Sequence, residues 1–209
     1  MKFLVTAGPT REPLDPVRYL SNHSSGKMGY SVARVLLDRG HEVALVSGPT
    51  ALTPPRGCEF VQVETAREML RTCRSVWGQC DGLFAVAAVA DWRPKTVSPR
   101  KLKRGEATEE ALAMIPNPDI VRTLAKGKKN RLVVGFALES GRGVQEAQRK
   151  MADKNLDFVA LNGPQAQGAA ESKIRLLGAG GQDETLGPMD KLKLARALVR
   201  SILTTTPRV

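Results

Sequence analysis

The sequence predicts an α/β fold built on a doubly wound, mostly parallel sheet. Two observations predict it. Short apolar runs alternate with segments of helical period from the first residue onward, and such alternation implies right-handed crossovers between parallel strands. Residues 83–90 also form one continuous apolar run, as expected of a strand covered on both faces. A hydrophobic fraction of 42 % over 209 residues supplies a core for one large domain or two small ones. No repeat or linker divides the chain, so 1–209 reads as a single domain with an irregular insert at 91–115.

The elements follow in order. Residues 2–6 form a buried strand closed by Ala7-Gly8-Pro9-Thr10, and 11–25 form a long loop rich in Pro, Arg, Asn and Ser. Met28, Val32, Val35 and Leu36 recur at helical spacing over 26–39, and Gly40 ends that helix. Strands at 41–46 and 60–63 follow. Thr65 then caps a helix carrying Met69 and Val76, with Glu68 completing a capping box. After the strand at 83–90, scattered Pro and Lys over 91–115 fit two short strands around a charged loop. Asn117-Pro118-Asp119 opens a helix to Ala125. A strand at 131–137, a helix at 144–155 and a strand at 157–161 continue the alternation. Segments 173–177 and 182–186 form a hairpin across Gly178-Ala179-Gly180-Gly181. A closing helix over 189–203 presents Leu192, Ala195, Val199 and Ile202 on one face, and the Thr-rich tail frays. The result is a Rossmann-like sheet, whose ligands bind at the carboxyl ends of the strands.

The loops at those ends carry the candidate chemistry. Ser24-Ser25-Gly26-Lys27-Met28-Gly29 opens a helix with free backbone N–H groups, small residues and positive potential, the ingredients of a phosphate cradle or of an ordinary capped helix start. A P-loop is excluded because Ser21 and Met28 stand where Gly and Ser/Thr are needed. The dinucleotide fingerprint fits poorly, since Val46-Ser47-Gly48 ends the second strand without an acid for a ribose hydroxyl. Asp91 leaves the most buried strand and faces either a ligand or its own turn. Arg100-Lys101-Leu102-Lys103-Arg104 places four cations in five residues. Lys150 and Lys154 share a helix face; like charges at that spacing repel, which an anion between them or Asp153 would relieve.

Other classes find less support. His23 has no nucleophile and orienting group around it. Cys58, Cys73 and Cys80 lack metal-ligand spacing, and only His23 and His41 accompany them, so a zinc site or disulfide framework is not expected. No apolar stretch approaches the roughly 18–20 residues of a membrane span, and the first residues are too short for a signal-peptide core. A cytoplasmic protein with reduced thiols is expected. The charge of 32 − 21 = +11 would suit nucleic acid, an anionic membrane or anionic small molecules. The basic run at 126–131 has no interleaved aromatic residue, which argues against single-strand binding.

The run from Thr6 to Arg18 with Ser21-Asn22-His23-Ser24-Ser25-Gly26-Lys27-Met28-Gly29 closely resembles phosphopantothenate–cysteine ligase, the phosphopantothenoylcysteine synthetase of bacterial coenzyme A synthesis. The resemblance continues through Ala87-Ala88-Val89-Ala90-Asp91-Trp92-Arg93-Pro94, Lys101-Leu102-Lys103-Arg104, Asn117-Pro118-Asp119-Ile120 and Val134-Gly135-Phe136-Ala137. It ends with Lys150, Lys154 and Asp157-Phe158-Val159, so it spans about residues 3 to 162 in the expected order. It implies a ligase that joins 4′-phosphopantothenate to L-cysteine through an acyl-cytidylate, with CTP as co-substrate and Mg2+ or Mn2+, releasing pyrophosphate and CMP. By the same resemblance, Gly8, Ser24, Ser25, Gly26 and Gly29 hold phosphates. Ala87, Asp91, Pro118, Asp119, Ile120, Val121, Phe136, Lys150 and Lys154 surround the nucleotide. Lys101 acts on the triphosphate, Asn22 binds the acyl intermediate, and Arg18 with Ala87 and Ala88 contacts the acyl substrate. No metal ligands are assigned.

The resemblance further implies a homodimer whose acyl site crosses the interface, so that Arg18 or Asn22 can serve the neighbouring subunit. The insert at 91–115 is then a flap and dimerisation element. Because the chain begins at the first ligase strand, a separate flavin-dependent phosphopantothenoylcysteine decarboxylase is implied; neither nucleic acid nor membrane is. Three positions depart from the family pattern: Arg104 follows Lys103 where a second lysine is common, Leu138 stands where a small residue is usual, and Asn162-Gly163 replaces Asn-Asp. Two alternatives are an NADP-dependent reductase on the same fold, with Ser47 near a 2′-phosphate, and a basic nucleic-acid-binding protein.

Overall fold

In the computed structural model, the described residues are 1–103, 111–138, 143–163 and 171–206; Arg104 and part of the insert lie outside them. An eight-stranded sheet has the order β12-β11-β10-β9-β6-β1-β4-β5. Its parallel strands are β1 (Lys2–Ala7), β4 (Glu42–Ser47), β5 (Glu59–Gln62), β6 (Gly82–Ala85), β9 (Leu132–Leu138) and β10 (Phe158–Asn162). The antiparallel hairpin of β11 (Glu171–Gly178) and β12 (Asp183–Asp190) closes one edge. Side chains alternate along β1: Phe3, Val5 and Ala7 pack on one face against helices α1 (Lys27–Asp38) and α5 (Lys191–Thr205). Leu4 packs on the other face with helices α2 (Ala66–Trp77), α3 (Ile120–Ala125) and α4 (Gly143–Asp153). Helices on both faces make the doubly wound Rossmann-like sheet that the alternation implies.

Several local expectations hold with their physical cause visible. Thr65 Oγ1 accepts from the Glu68 amide at 3.2 Å while the Glu68 carboxylate accepts from the Thr65 amide at 3.2 Å, the reciprocal capping box. Asp119 caps α3 through the Arg122 amide at 2.9 Å. Short strands β7 (Trp92–Pro94) and β8 (Met114–Pro116) pair antiparallel at the two ends of the insert.

Four expectations are corrected. Strand β6 ends at Ala85, and residues 86–90 leave the sheet as a loop. The Val86 N–H still donates to the Thr6 carbonyl at 3.2 Å, but beyond it the Ala87 N–H donates to Thr6 Oγ1 and the Ala90 N–H to Thr10 Oγ1. The loop at 11–25 contains a short hairpin, β2 (Arg11–Pro13) and β3 (Tyr19–Ser21). Glu12 of that hairpin is buried and accepts the Ala66 amide at 2.9 Å, so it serves as a tertiary cap for α2. In α5 the buried face is Leu194, Ala195, Leu198, Val199 and Ile202, while Leu192 is 36 % exposed. The helix also runs through Thr205 in place of the expected fraying; the Thr204 and Thr205 hydroxyls donate to the Arg200 and Ser201 carbonyls, each at 2.8 Å.

The chain goes from β1 to β4 on one side and returns to β6 on the other. The loops after β1 and β6 therefore diverge from a topological switch point, where doubly wound sheets bind ligands. Three loop ends crowd there. A Cβ on Gly48 would lie 1.7 Å from the Pro9 carbonyl oxygen, so only glycine lets the loop after β4 approach the loop after β1. Gly48→Ala is expected to cost about 2 kcal/mol or more by overpacking against rigid backbone. Its thermal midpoint should fall by roughly 4–8 °C, measurable by circular dichroism.

Candidate functional site

Strand β1 delivers Gly8, Pro9 and Thr10, and β6 delivers 86–90. A parallel bridge joins Pro9 to Ala88: the Thr10 N–H donates to the Ala88 carbonyl at 3.2 Å and the Ala88 N–H to the Gly8 carbonyl at 2.9 Å. Asn22 Nδ2 donates to the same Ala88 carbonyl at 3.0 Å. The bridge lies between two cavities, Ala87 and Val89 lining the first and Pro9 and Asn22 the second.

The first cavity, of about 230 Å3, is floored by Leu83, Ala85 and Phe136 and walled by Asp91, Pro118, Asp119, Ile120, Val121 and Lys154. Asn117 builds its mouth. Its Nδ2 donates to the Ala90 carbonyl at 2.8 Å and its N–H to the Asp91 carbonyl at 2.7 Å, while its Oδ1 accepts from Arg93 Nη1 at 3.2 Å. The structure thus brings eight of the nine sequence-selected nucleotide-side positions into one cavity wall. Lys150 lies outside that lining. Lys154 Nζ pairs with Asp119 Oδ2 at 2.9 Å, and Asp153, the carboxylate that could relieve the two lysines, pairs with Arg149 at 2.7 Å. Burial opposes ionisation of Asp119, but the Arg122 amide, Lys154 and the Arg122 charge outweigh it and hold the carboxyl below its ordinary value.

The second cavity, about 690 Å3 and open, is lined by Asn22, Ser24, Ser25, Lys27 and Thr50, with Arg11 and Tyr19 on its rim. It sits at the start of α1, whose cap is Gly26 in a left-handed conformation (φ 77°) without a side-chain hydrogen bond to the first turn. That conformation turns the chain into the helix without a side chain over the first amides, and the macrodipole adds positive potential there. Ser24 Oγ accepts the Gly26 amide at 3.3 Å. Gly8 (φ 70°) and Gly29 complete the crowded junction, the latter with room for no Cβ against Ala7. Arg18 and Lys101 line neither cavity. Both are exposed, Arg18 in the turn between β2 and β3 and Lys101 in the insert, and Arg18 pairs with Asp15 at 2.6 Å.

Sequence reasoning missed Thr6, Thr10 and Asn117 as builders of this site. A signal existed for the threonines, polar residues set within or just after an otherwise apolar strand, yet both are buried with their hydroxyls facing the loop at 86–90. Ser47, the candidate neighbour of a 2′-phosphate, is fully buried and donates to the Gly48 carbonyl at 2.7 Å; that reductase reading loses its binding residue. Within the basic run at 126–131, Lys128 pairs with Asp157 at 2.7 Å and Arg131 stacks 5.0 Å over Trp77, so two of its cations serve the fold. No described helix is long and apolar enough to cross a membrane. Among the described residues no group of three His, Cys, Asp or Glu side chains could hold a metal.

The family model described as the DNA/pantothenate metabolism flavoprotein C-terminal domain matches residues 1–205. The coenzyme A biosynthesis bifunctional protein CoaBC of Escherichia coli K12 is 46 % identical over 165 residues, 78 % of this chain and 41 % of that protein. The Bacillus subtilis 168 protein of the same name is 38 % identical over 204 residues, 95 % of this chain and 50 % of that one. The chain thus spans about half the length of these curated relatives, or less. A crystal structure of a CoaBC C-terminal domain superposes with a TM-score of 0.84 at 36 % identity, covering 97 % of this chain and 94 % of that one. A Cab2 mutant in complex with phosphopantothenate-cysteine shares the fold, with a TM-score of 0.81 at 16 % identity over 97 % of this chain and 85 % of that one.

Because folding depresses the Asp119 carboxyl, its contribution to stability is present above the ordinary value of 3.8 and lost as pH falls below it. Asp119→Asn should flatten the acid limb of the stability profile, read as urea midpoints from neutral to acid pH.

Proposed function

The chain belongs to the family of the DNA/pantothenate metabolism flavoprotein C-terminal domain, and on that premise we propose that it joins 4′-phosphopantothenate to L-cysteine with a nucleoside triphosphate, CTP, as activator. The observation that carries the reading is the pairing of two cavities across the Pro9–Ala88 bridge. One is narrow, part apolar and walled by Asp119, Lys154 and Phe136; the other opens at the uncapped start of α1. A nucleoside in the first and phosphates over the α1 amides would put the α-phosphate near the bridge.

The chemistry needs both. A carboxylate is a poor electrophile, so its oxygen first attacks the nucleotide α-phosphate, and the bond to pyrophosphate breaks. The acyl-cytidylate then carries a good leaving group. The cysteine amine attacks the acyl carbon, the bond to CMP breaks, and the amine loses a proton as the amide forms. Bringing two polyanions together calls for fixed dipoles and cations where charge accumulates. On this reading the α1 amides and Lys27 receive phosphates, Lys101 swings onto the triphosphate, and Asn22 holds the acyl group from its anchor on the Ala88 carbonyl. Arg18 receives the acyl substrate. The described residues form no carboxylate or imidazole cage for a cation, which fits Mg2+ or Mn2+ arriving with the triphosphate, the usual habit of Mg2+. Backbone groups at 117–121 would read the base, so the preference for CTP over ATP is a question for nucleotide competition.

A homodimer is part of the proposal. Val17, Trp92 and Val97 are 50 % or more exposed on the flap and the β2–β3 hairpin, and a second copy placed there would cover them. A separate decarboxylase would supply the next reaction, and a cytoplasmic location fits both partners.

Pyrophosphate release is expected only when phosphopantothenate and CTP are both present, and CMP only after cysteine is added; no pyrophosphate with any nucleotide overturns the proposal. Lys101→Ala should slow pyrophosphate release by on the order of 10²–10³, the usual loss of one preorganised stabiliser. Asn22→Ala should leave that step running and let acyl-cytidylate accumulate, detectable by mass spectrometry of quenched reactions.

A further inference from the structure

We propose that Asp15 is a positioning residue whose buried carboxylate clamps the Leu102 backbone to the Arg18 guanidinium, and so sets the basic segment 101–103 beside the loop carrying Arg18 and Asn22. The consequence for catalysis rests on the ligase reading; the clamp itself rests on geometry alone.

The two carboxylate oxygens divide the work. Oδ1 accepts the Val17 and Arg18 amides, each at 2.8 Å, and closes the local turn. Oδ2 accepts Arg18 Nε at 3.0 Å, Arg18 Nη2 at 2.6 Å and the Leu102 amide at 3.1 Å. Arg18 Nη2 also donates to the Leu102 carbonyl at 2.7 Å. Carboxylate, guanidinium and the backbone of one residue thus form a closed ring that uses both polar groups of Leu102. Just upstream, the Ser98 amide donates to the Leu14 carbonyl at 2.9 Å, so the chain at 98–102 is laid along 14–18 at both ends.

The Asp15 side chain has no solvent exposure while that of Arg18 is 48 % exposed. A carboxylate so enclosed is tolerable only because five donors satisfy it, and the Arg18 guanidinium, with the backbone amides, overcomes burial and holds it well below the usual carboxylate range. The exposed face of Arg18 stays open to a ligand. Leu102 sits between Lys101 and Lys103, so fixing its peptide sets where both ammonium groups start. The cation proposed for activation and the residues proposed for acyl binding are therefore tied through one side chain.

Asp15→Asn separates the two roles of the residue. Its remaining Oδ1 can keep the turn, whereas an NH2 in place of Oδ2 cannot accept from Arg18 or Leu102. Trypsin should then cut the Lys101–Leu102 bond about tenfold faster, the factor that one charge-assisted hydrogen bond supplies, with the melting midpoint little changed. In the pyrophosphate assay, kcat should fall about tenfold while KM for CTP moves by less than about twofold, because the nucleotide cavity is untouched. If Asp15→Asn does not fold, Arg18→Lys serves: a single ammonium cannot span Asp15 and the Leu102 carbonyl as the fork does, and the same faster cleavage is expected. Unchanged cleavage in a folded variant overturns the clamp, as does a loss confined to KM for CTP. Should the native enzyme release no pyrophosphate at all, the ligase reading fails, yet the cleavage rate still decides the clamp.

Discussion

The structure depends on how five residues, 86–90, satisfy their backbone once they leave the sheet. They are all apolar, so their side chains offer the peptide groups nothing. An unmet buried amide costs on the order of 1–3 kcal/mol, and the fold draws partners from the end of β1, the loop after it and the segment that opens α3. The Thr6 and Thr10 hydroxyls take the Ala87 and Ala90 amides, Gly8 takes the Ala88 amide, and Asn117 closes on Ala90 and Asp91. The Pro9–Ala88 bridge that results separates the two cavities. The same hydrogen bonds that keep a strand end from fraying therefore shape the site.

Much of this was legible in the sequence, and the remainder was not for definable reasons. Periodicity located the helices and parallel strands because each buries one stripe or both faces. It overran at 83–90 because an apolar run reads alike whether its amides meet a neighbouring strand or a threonine hydroxyl 80 residues away. It misassigned Leu192 because the face that α5 buries is set by where α1 and the β11–β12 hairpin lie, not by the helix itself. The hairpin of β2 and β3 was invisible since its pairing partners are three residues each, too few for any alternation to register.

The candidate site shows the same division. Local chemistry exposed the Ser24–Gly29 helix start, and Asn117-Pro118-Asp119 as the opening of α3. What no local pattern showed was that Asp119 would also reach Lys154, in the turn after α4, some 35 residues downstream in the chain. Its cap role and its ion pair use the two oxygens of one carboxylate, Oδ1 for the amide and Oδ2 for the lysine. Asp15 repeats the arrangement, with Oδ1 on a turn and Oδ2 on a distant partner.

That repetition bears on the charge of +11. The proposed site for two polyanions needs cations, but cations left to themselves repel one another and wander. Here Arg18 and Lys154 are each held by a carboxylate that is itself anchored by backbone amides, so position is set before any ligand arrives. An incoming phosphate then meets donors already aimed and loses little to ordering them, which is the physical content of preorganisation. The excess charge is on this view less a long-range attractant than a reserve: the protein spends acidic groups on fixing particular cations and leaves others, such as Lys101 and Lys103, exposed on a short tether. Fixed cations give geometry and tethered ones give reach, and the proposed reaction, which first joins and then separates two anions, would use both.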